Sequence, residues 1–166
     1  MIDALLLLVF PAAMALGACC DLFAMKIPNR LTLGFAALFP VAALAAGLPV
    51  EVIGHHLIAG AGMLLLAFAL FGMGWIGGGD AKLVAATALW VGWPALLPLL
   101  IWASLLGGIL TMSLLAARRV PLPAALGRMD WLVRLHDARQ GIPYGIALAG
   151  AGLVVYPQTV WMAVFA

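Results

Sequence analysis

Two aspartates, Asp21 and Asp80, stand at the edges of long apolar runs, and the second closes the sequence Gly77-Gly78-Gly79-Asp80. An ionisable side chain in or beside a membrane span costs roughly 2.5–3.5 kcal/mol on insertion scales, so it is read first as a functional group with a partner. Each aspartate is the other's natural candidate. Two carboxylates close together do not both ionise easily, so one holds a proton while the other stays charged. Such a pair can hydrolyse an amide: the charged member takes a proton from an attacking water, and the protonated member polarises the carbonyl oxygen. No nucleophilic side chain, metal or cofactor is needed. The three glycines before Asp80 would let an extended substrate backbone approach and hydrogen-bond in a strand-like manner.

The elements that must position this pair are membrane helices. The chain is 67% hydrophobic and 8% charged, with a mean hydropathy of +1.22, outside the range of a soluble domain. The first apolar run lacks a basic leader region and a small-residue cleavage site, so it is expected to stay as a span. At about 20 residues per crossing, spans are predicted over Ala4–Phe23, Leu31–Leu48 and about Ile53–Trp75. The block Ala81–Ala117 is too long for one crossing, and Gly92-Trp93-Pro94 is its natural break into two. A last span runs from Ile142 to Ala166, interrupted at Pro157. In the one polar stretch, Arg118–Gly141, apolar Leu126, Met129, Leu132 and Val133 oppose Arg128, Asp130, Arg134 and Asp137. That spacing predicts an amphipathic helix lying in the interface. The expected fold is therefore all-α: a single membrane-embedded domain over 1–166 with about six spans and one interfacial helix.

Lysine and arginine concentrate on the cytoplasmic side of membrane proteins. With six spans all eight basic residues fall on one face: Lys26, Arg30, Lys82, Arg118, Arg119, Arg128, Arg134 and Arg139. The same topology puts Asp21 and Asp80 at one cytoplasmic depth and both ends of the 166 residues on the opposite side. A net charge of +2, carried by few and scattered basic residues, gives no footing for nucleic acid. The bilayer is the expected partner, and the sequence is silent on oligomeric state.

Most other polar residues have structural readings. Asp80 could be the N-cap of its helix, and Asp21 could pair with Lys26 or Arg30. Lys82 could be a topology signal or could bias the pair toward ionisation. Pro28 ends the first span, with Asn29 capping the second. His55 and His56, placed in a short connection, make a poor metal site. Trp75, Trp90, Trp93, Trp131 and Trp161 near span ends read as interfacial anchors. Ala13, Gly17, Gly60, Ala61 and Gly62 suit close helix packing. Cys19 and Cys20 are adjacent, cannot easily bridge and are too few for a four-cysteine zinc site. A small transporter or proton channel using the aspartates as relay groups is the non-enzymatic alternative, although no inverted repeat supports it.

Three segments resemble the type IV prepilin peptidases. Asp21-Leu22-Phe23-Ala24-Met25-Lys26-Ile27-Pro28-Asn29-Arg30 is similar to the region of that family's first catalytic aspartate. Gly77-Gly78-Gly79-Asp80-Ala81-Lys82-Leu83 resembles its Gly-x-Gly-Asp motif, and Pro143-Tyr144-Gly145 matches a short motif late in the family. The resemblance implies a bacterial inner-membrane aspartic endopeptidase that removes the basic leader of prepilins on the cytoplasmic side, with Asp21 and Asp80 as the dyad. It implies supporting roles for Gly77, Gly78, Gly79, Lys82, Pro28, Asn29, Pro143, Tyr144 and Gly145. Long members carry a cysteine-rich zinc domain after the first span and also methylate the new amino terminus. This sequence lacks that insertion and resembles the short forms serving Flp-type pili, for which methyl transfer is not expected.

Overall fold

A computed structural model describes residues 2–165, with side chains over 5–164. The described residues are all-α: α1 (Ile2–Ala24), α2 (Asn29–Ala45), α3 (Val50–Gly72), α4 (Gly78–Ala117), α5 (Asp130–His136), α6 (Tyr144–Val155) and α7 (Val160–Phe165). Four apolar helical stretches are long enough to cross a membrane: Leu5–Ala24, Val50–Gly72, Gly78–Ala117 and Tyr144–Val164. The 17-residue α2 is a shorter apolar helix. A 3-10 turn at Tyr156–Gln158, beside Pro157, interrupts the last stretch as expected.

The 40-residue α4 is two helices rather than one. Gly92 sits at φ 74°, ψ 177°, a conformation that disfavours any residue with a Cβ. In a straight helix Thr111 would stand about 46 Å from Asp80 at 1.5 Å per residue, yet both line one cavity. The chain therefore turns back at Gly92, and the two limbs lie side by side. The break orphans carbonyls, because Pro94 has no N–H to offer Trp90. Side chains take them: His56 Nδ1 donates to the Leu89 carbonyl at 2.8 Å, and Trp161 Nε1 to the Trp90 carbonyl at 2.7 Å. Trp90 Nε1 in turn donates to the Phe35 carbonyl at 2.8 Å; proline at position 40 leaves the neighbouring turn of α2 equally short of donors. Around these bonds Phe10, Phe35, Phe39, His56, Trp90, Tyr156 and Trp161 pack ring against ring.

This cluster corrects several expectations. His56 lies inside α3 and is buried, with only His55 exposed, because the turn at Gly92 needs a donor there. Trp90 and Trp161 are fully buried core residues, whereas Trp75 and Trp93 are exposed as anchors should be. Of the small residues, Gly60 meets Leu89 so closely that a Cβ would lie 2.8 Å from its Cβ, while a Cβ on Gly62 would point into open space. The interfacial helix is also shorter than predicted. A single 3-10 turn (Leu126–Arg128) and the seven-residue α5 are separated by extended Met129; Pro121, Pro123 and Gly127 interrupt any longer helix. Trp131 anchors α5 edge-on to Phe23 of α1 at 5.3 Å between ring centres.

All eight lysines and arginines lie at the end of the bundle opposite Gly92, in the α1–α2 connection, the first turns of α2 and α4, and the stretch after α4. That is the end that holds Asp21 and Asp80.

Candidate active site

α1 presents Asp21 in its last turn, and the helix ends one turn later at Met25, whose φ of 52° is left-handed. A residue in this conformation closes a helix C-terminus, a position usually given to glycine or asparagine. Asp80 is the third residue of α4, one turn in from Gly77. The helix cap is Gly77 itself, without a side-chain bond, so Asp80 does not hold the N-cap position that its sequence allowed.

Asp21 is buried, with 6% of its surface exposed. The Gly145 N–H, at the start of α6, donates to its Oδ2 at 2.6 Å. The first amides of a helix have no internal partner, so Asp21 serves α6 as a capping carboxylate brought from another helix. A Cβ on Gly145 would lie 2.8 Å from that oxygen and 3.1 Å from the Asp21 Cβ, which is why glycine stands there. Pro143 is fully buried beside it, and the Tyr144 hydroxyl donates to the Ala103 carbonyl at 2.9 Å. The ring of Tyr144 rests where a side chain on Gly107 would have to be.

Two cavities flank the carboxylates. The larger, about 940 Å³, is lined by Asp21, Asp80, Tyr144, Thr111, Arg118 and Gln140, with Met25 and Gly74–Gly77. The smaller, about 420 Å³, is lined by both aspartates, Met25–Asn29 and Gly77–Gly79. The aspartates thus form a wall common to both, within electrostatic reach of each other. Of the residues singled out by sequence, Gly77, Gly78, Gly79, Pro28, Asn29 and Tyr144 line these cavities, and Pro143 and Gly145 sit behind Asp21.

Lys82 lies apart. Its Nζ donates to the Asn29 Oδ1 at 2.8 Å and borders an apolar groove between α2, α3 and α4. Asn29 is accordingly a bridge to α4 and does not cap α2, whose cap residue is Pro28. The space at Gly79 is taken by Ile27 and at Gly78 by the Phe71 ring, both within 3.3 Å of a notional Cβ. Helix packing therefore supplies a reason for these two glycines besides substrate approach. The Arg118–Arg139 stretch reads first as an orientation signal and second as a contact for anionic lipid headgroups; the place of Arg118 on the cavity wall has no local sequence signature. Among the described residues no group of three or more His, Cys, Asp or Glu is placed to hold a metal.

Residues 8–112 match the model of the type IV leader peptidase family. The chain belongs to that family. The family is one of aspartic-type prepilin peptidases. It is 35% identical over 147 residues to a prepilin leader peptidase/N-methyltransferase of Aeromonas salmonicida strain A449, and equally to one recorded for Aeromonas salmonicida. Each alignment covers 81% of this chain and 42% of the relative, so the chain spans less than half the length of these curated relatives. No solved structure matches it.

Proposed function

We propose that this protein is a membrane aspartic endopeptidase that removes the N-terminal leader of Flp-type prepilins, with Asp21 and Asp80 as its catalytic dyad. The observation carrying this reading is that the two carboxylates form the shared wall of two cavities at the basic end of the bundle. One carboxylate accepts a proton from water as the oxygen attacks the scissile carbonyl, while the other, protonated, donates to the carbonyl oxygen. Collapse of the tetrahedral intermediate breaks the C–N bond, and the first aspartate's proton passes to the leaving amine. As the C=O re-forms, a hydroxyl of the intermediate returns a proton to the second aspartate, so both carboxyl groups end in their starting protonation states.

In this reading α1, α2, α3, the two limbs of α4, and α6 with α7 make six crossings of the bacterial inner membrane. The basic end then faces the cytoplasm, and the dyad opens to that side. A periplasmic signal from a reporter fused near Gly127 would contradict this orientation. Only residues 25–28 join α1 to α2, where long relatives are expected to carry their zinc domain. That supports a short, Flp-type enzyme and favours cleavage without methylation, over one domain spanning 1–166.

The deciding experiment is coexpression with an Flp-type prepilin. Wild-type protein converts it to the shorter mature form, and Asp21→Asn and Asp80→Asn do not. Continued processing by either variant would remove the dyad assignment. Mass spectrometry of the mature amino terminus separates cleavage alone from cleavage with methylation.

A further inference from the structure

We propose that Arg118 is a positioning residue for Asp21, acting through the segment that leads into α6. The proposal rests on the peptidase reading above. Arg118 ends α4, and its half-buried side chain reaches two carbonyls on separate segments. Nε donates to the Leu135 carbonyl at 3.0 Å, and Nη2 to the Gly141 carbonyl at 2.9 Å. Both acceptors have lost their helical donors. The amide four residues beyond Leu135 belongs to Arg139 and donates to Asp137 Oδ1. The amide four residues beyond Gly141 belongs to Gly145 and donates to Asp21 Oδ2.

Gly141 and Gly145 thus stand at the spacing of one helical hydrogen bond that is not made. Arg118 holds the carbonyl, and Asp21 holds the amide. Proline at position 143 keeps Ile142 out of the helical region, so α6 cannot wind back by a turn and satisfy both groups itself. The guanidinium supplies what that turn would have supplied. It fixes the 140–142 wall of the larger cavity and the point from which the Gly145 N–H is aimed. Lysine cannot replace it, because a single ammonium lacks the planar fork that spans two acceptors.

The test uses the full chain in liposomes with an Flp-type prepilin, comparing wild type, Arg118→Ala, Arg118→Lys and, as a control, the exposed neighbour Arg119→Ala. Arg118→Ala and Arg118→Lys are expected to lower kcat about tenfold or more, since misplacements near 1 Å can cost 100-fold, with KM within about twofold and a displaced pH profile of kcat. Arg119→Ala should match wild type. Hydrogen exchange at the Gly145 amide gives a readout independent of turnover: protection present in wild type falls in both Arg118 variants. Full activity in Arg118→Ala, rescue by Arg118→Lys, a change confined to KM, or unchanged Gly145 protection would each overturn the proposal. If wild type cleaves no prepilin, the peptidase reading fails by itself, and the exchange measurement still decides whether Arg118 holds this segment. Should Arg118→Ala fail to fold, Arg118→Lys carries both readouts.

Discussion

Where α4 turns back, His56, Trp90 and Trp161 each give a ring N–H to a backbone carbonyl, and aromatic rings fill the space between them. At the other end of the same helices, Asp21 and Asp80 border cavities of about 940 and 420 Å³, and among the described residues one hydrogen bond, from the Gly145 amide, fixes their carboxylates. The helices are common to both ends, so the difference lies in what the side chains are used for. Polar side chains at the closed end satisfy a broken helix, and those at the open end are left facing space where a substrate can stand. On the proposed reading one end sets stability and the other chemistry, and substitutions should separate accordingly.

The largest effect is expected at the open end. Asp21→Asn or Asp80→Asn should reduce prepilin cleavage by at least about 10²–10⁴, the usual worth of a general acid or base, while thermal melting in detergent stays within a few degrees. Next comes Gly145→Ala, which forces a methyl against Asp21; cleavage should fall about 10–100-fold through displacement of that carboxylate, again with the fold retained. At the closed end the readouts invert. His56→Ala leaves the Leu89 carbonyl unpaired and should cost about 1–3 kcal/mol, seen as lower melting with unchanged kcat per folded molecule. If it instead abolished turnover without destabilising the protein, the division between the ends would fail. The smallest change is Lys82→Met, which removes one exposed hydrogen bond to Asn29 and should alter cleavage less than about threefold, since exposed polar pairs are worth roughly 0–1 kcal/mol. A larger loss would move Lys82 from helix bridge into the catalytic machinery.

The open end was legible in the sequence because its signals are local: a charge at the edge of an apolar run, a glycine string, a proline that stops a helix. The break at Gly92 was legible for the same reason. What makes that break tolerable was not. His56 reaches Leu89 across 33 residues and Trp161 reaches Trp90 across 71, and hydropathy cannot distinguish a tryptophan that anchors in the headgroups from one that caps a carbonyl in the core. Arg118 was obscured in a related way, since an arginine between spans satisfies the orientation rule whatever its side chain touches. The interfacial helix failed on punctuation, as its apolar spacing continued across prolines and a glycine that the backbone cannot ignore.

The hairpin in α4 has unequal arms. From Gly92 the first limb rises about 18 Å to Asp80, and the second about 39 Å to Arg118, at 1.5 Å per residue. The longer arm therefore runs past the level of Asp80 and carries Arg118 to the segment that leads into α6. One helix thereby supplies both a carboxylate and the arginine that braces a separate segment on the wall of the same cavity.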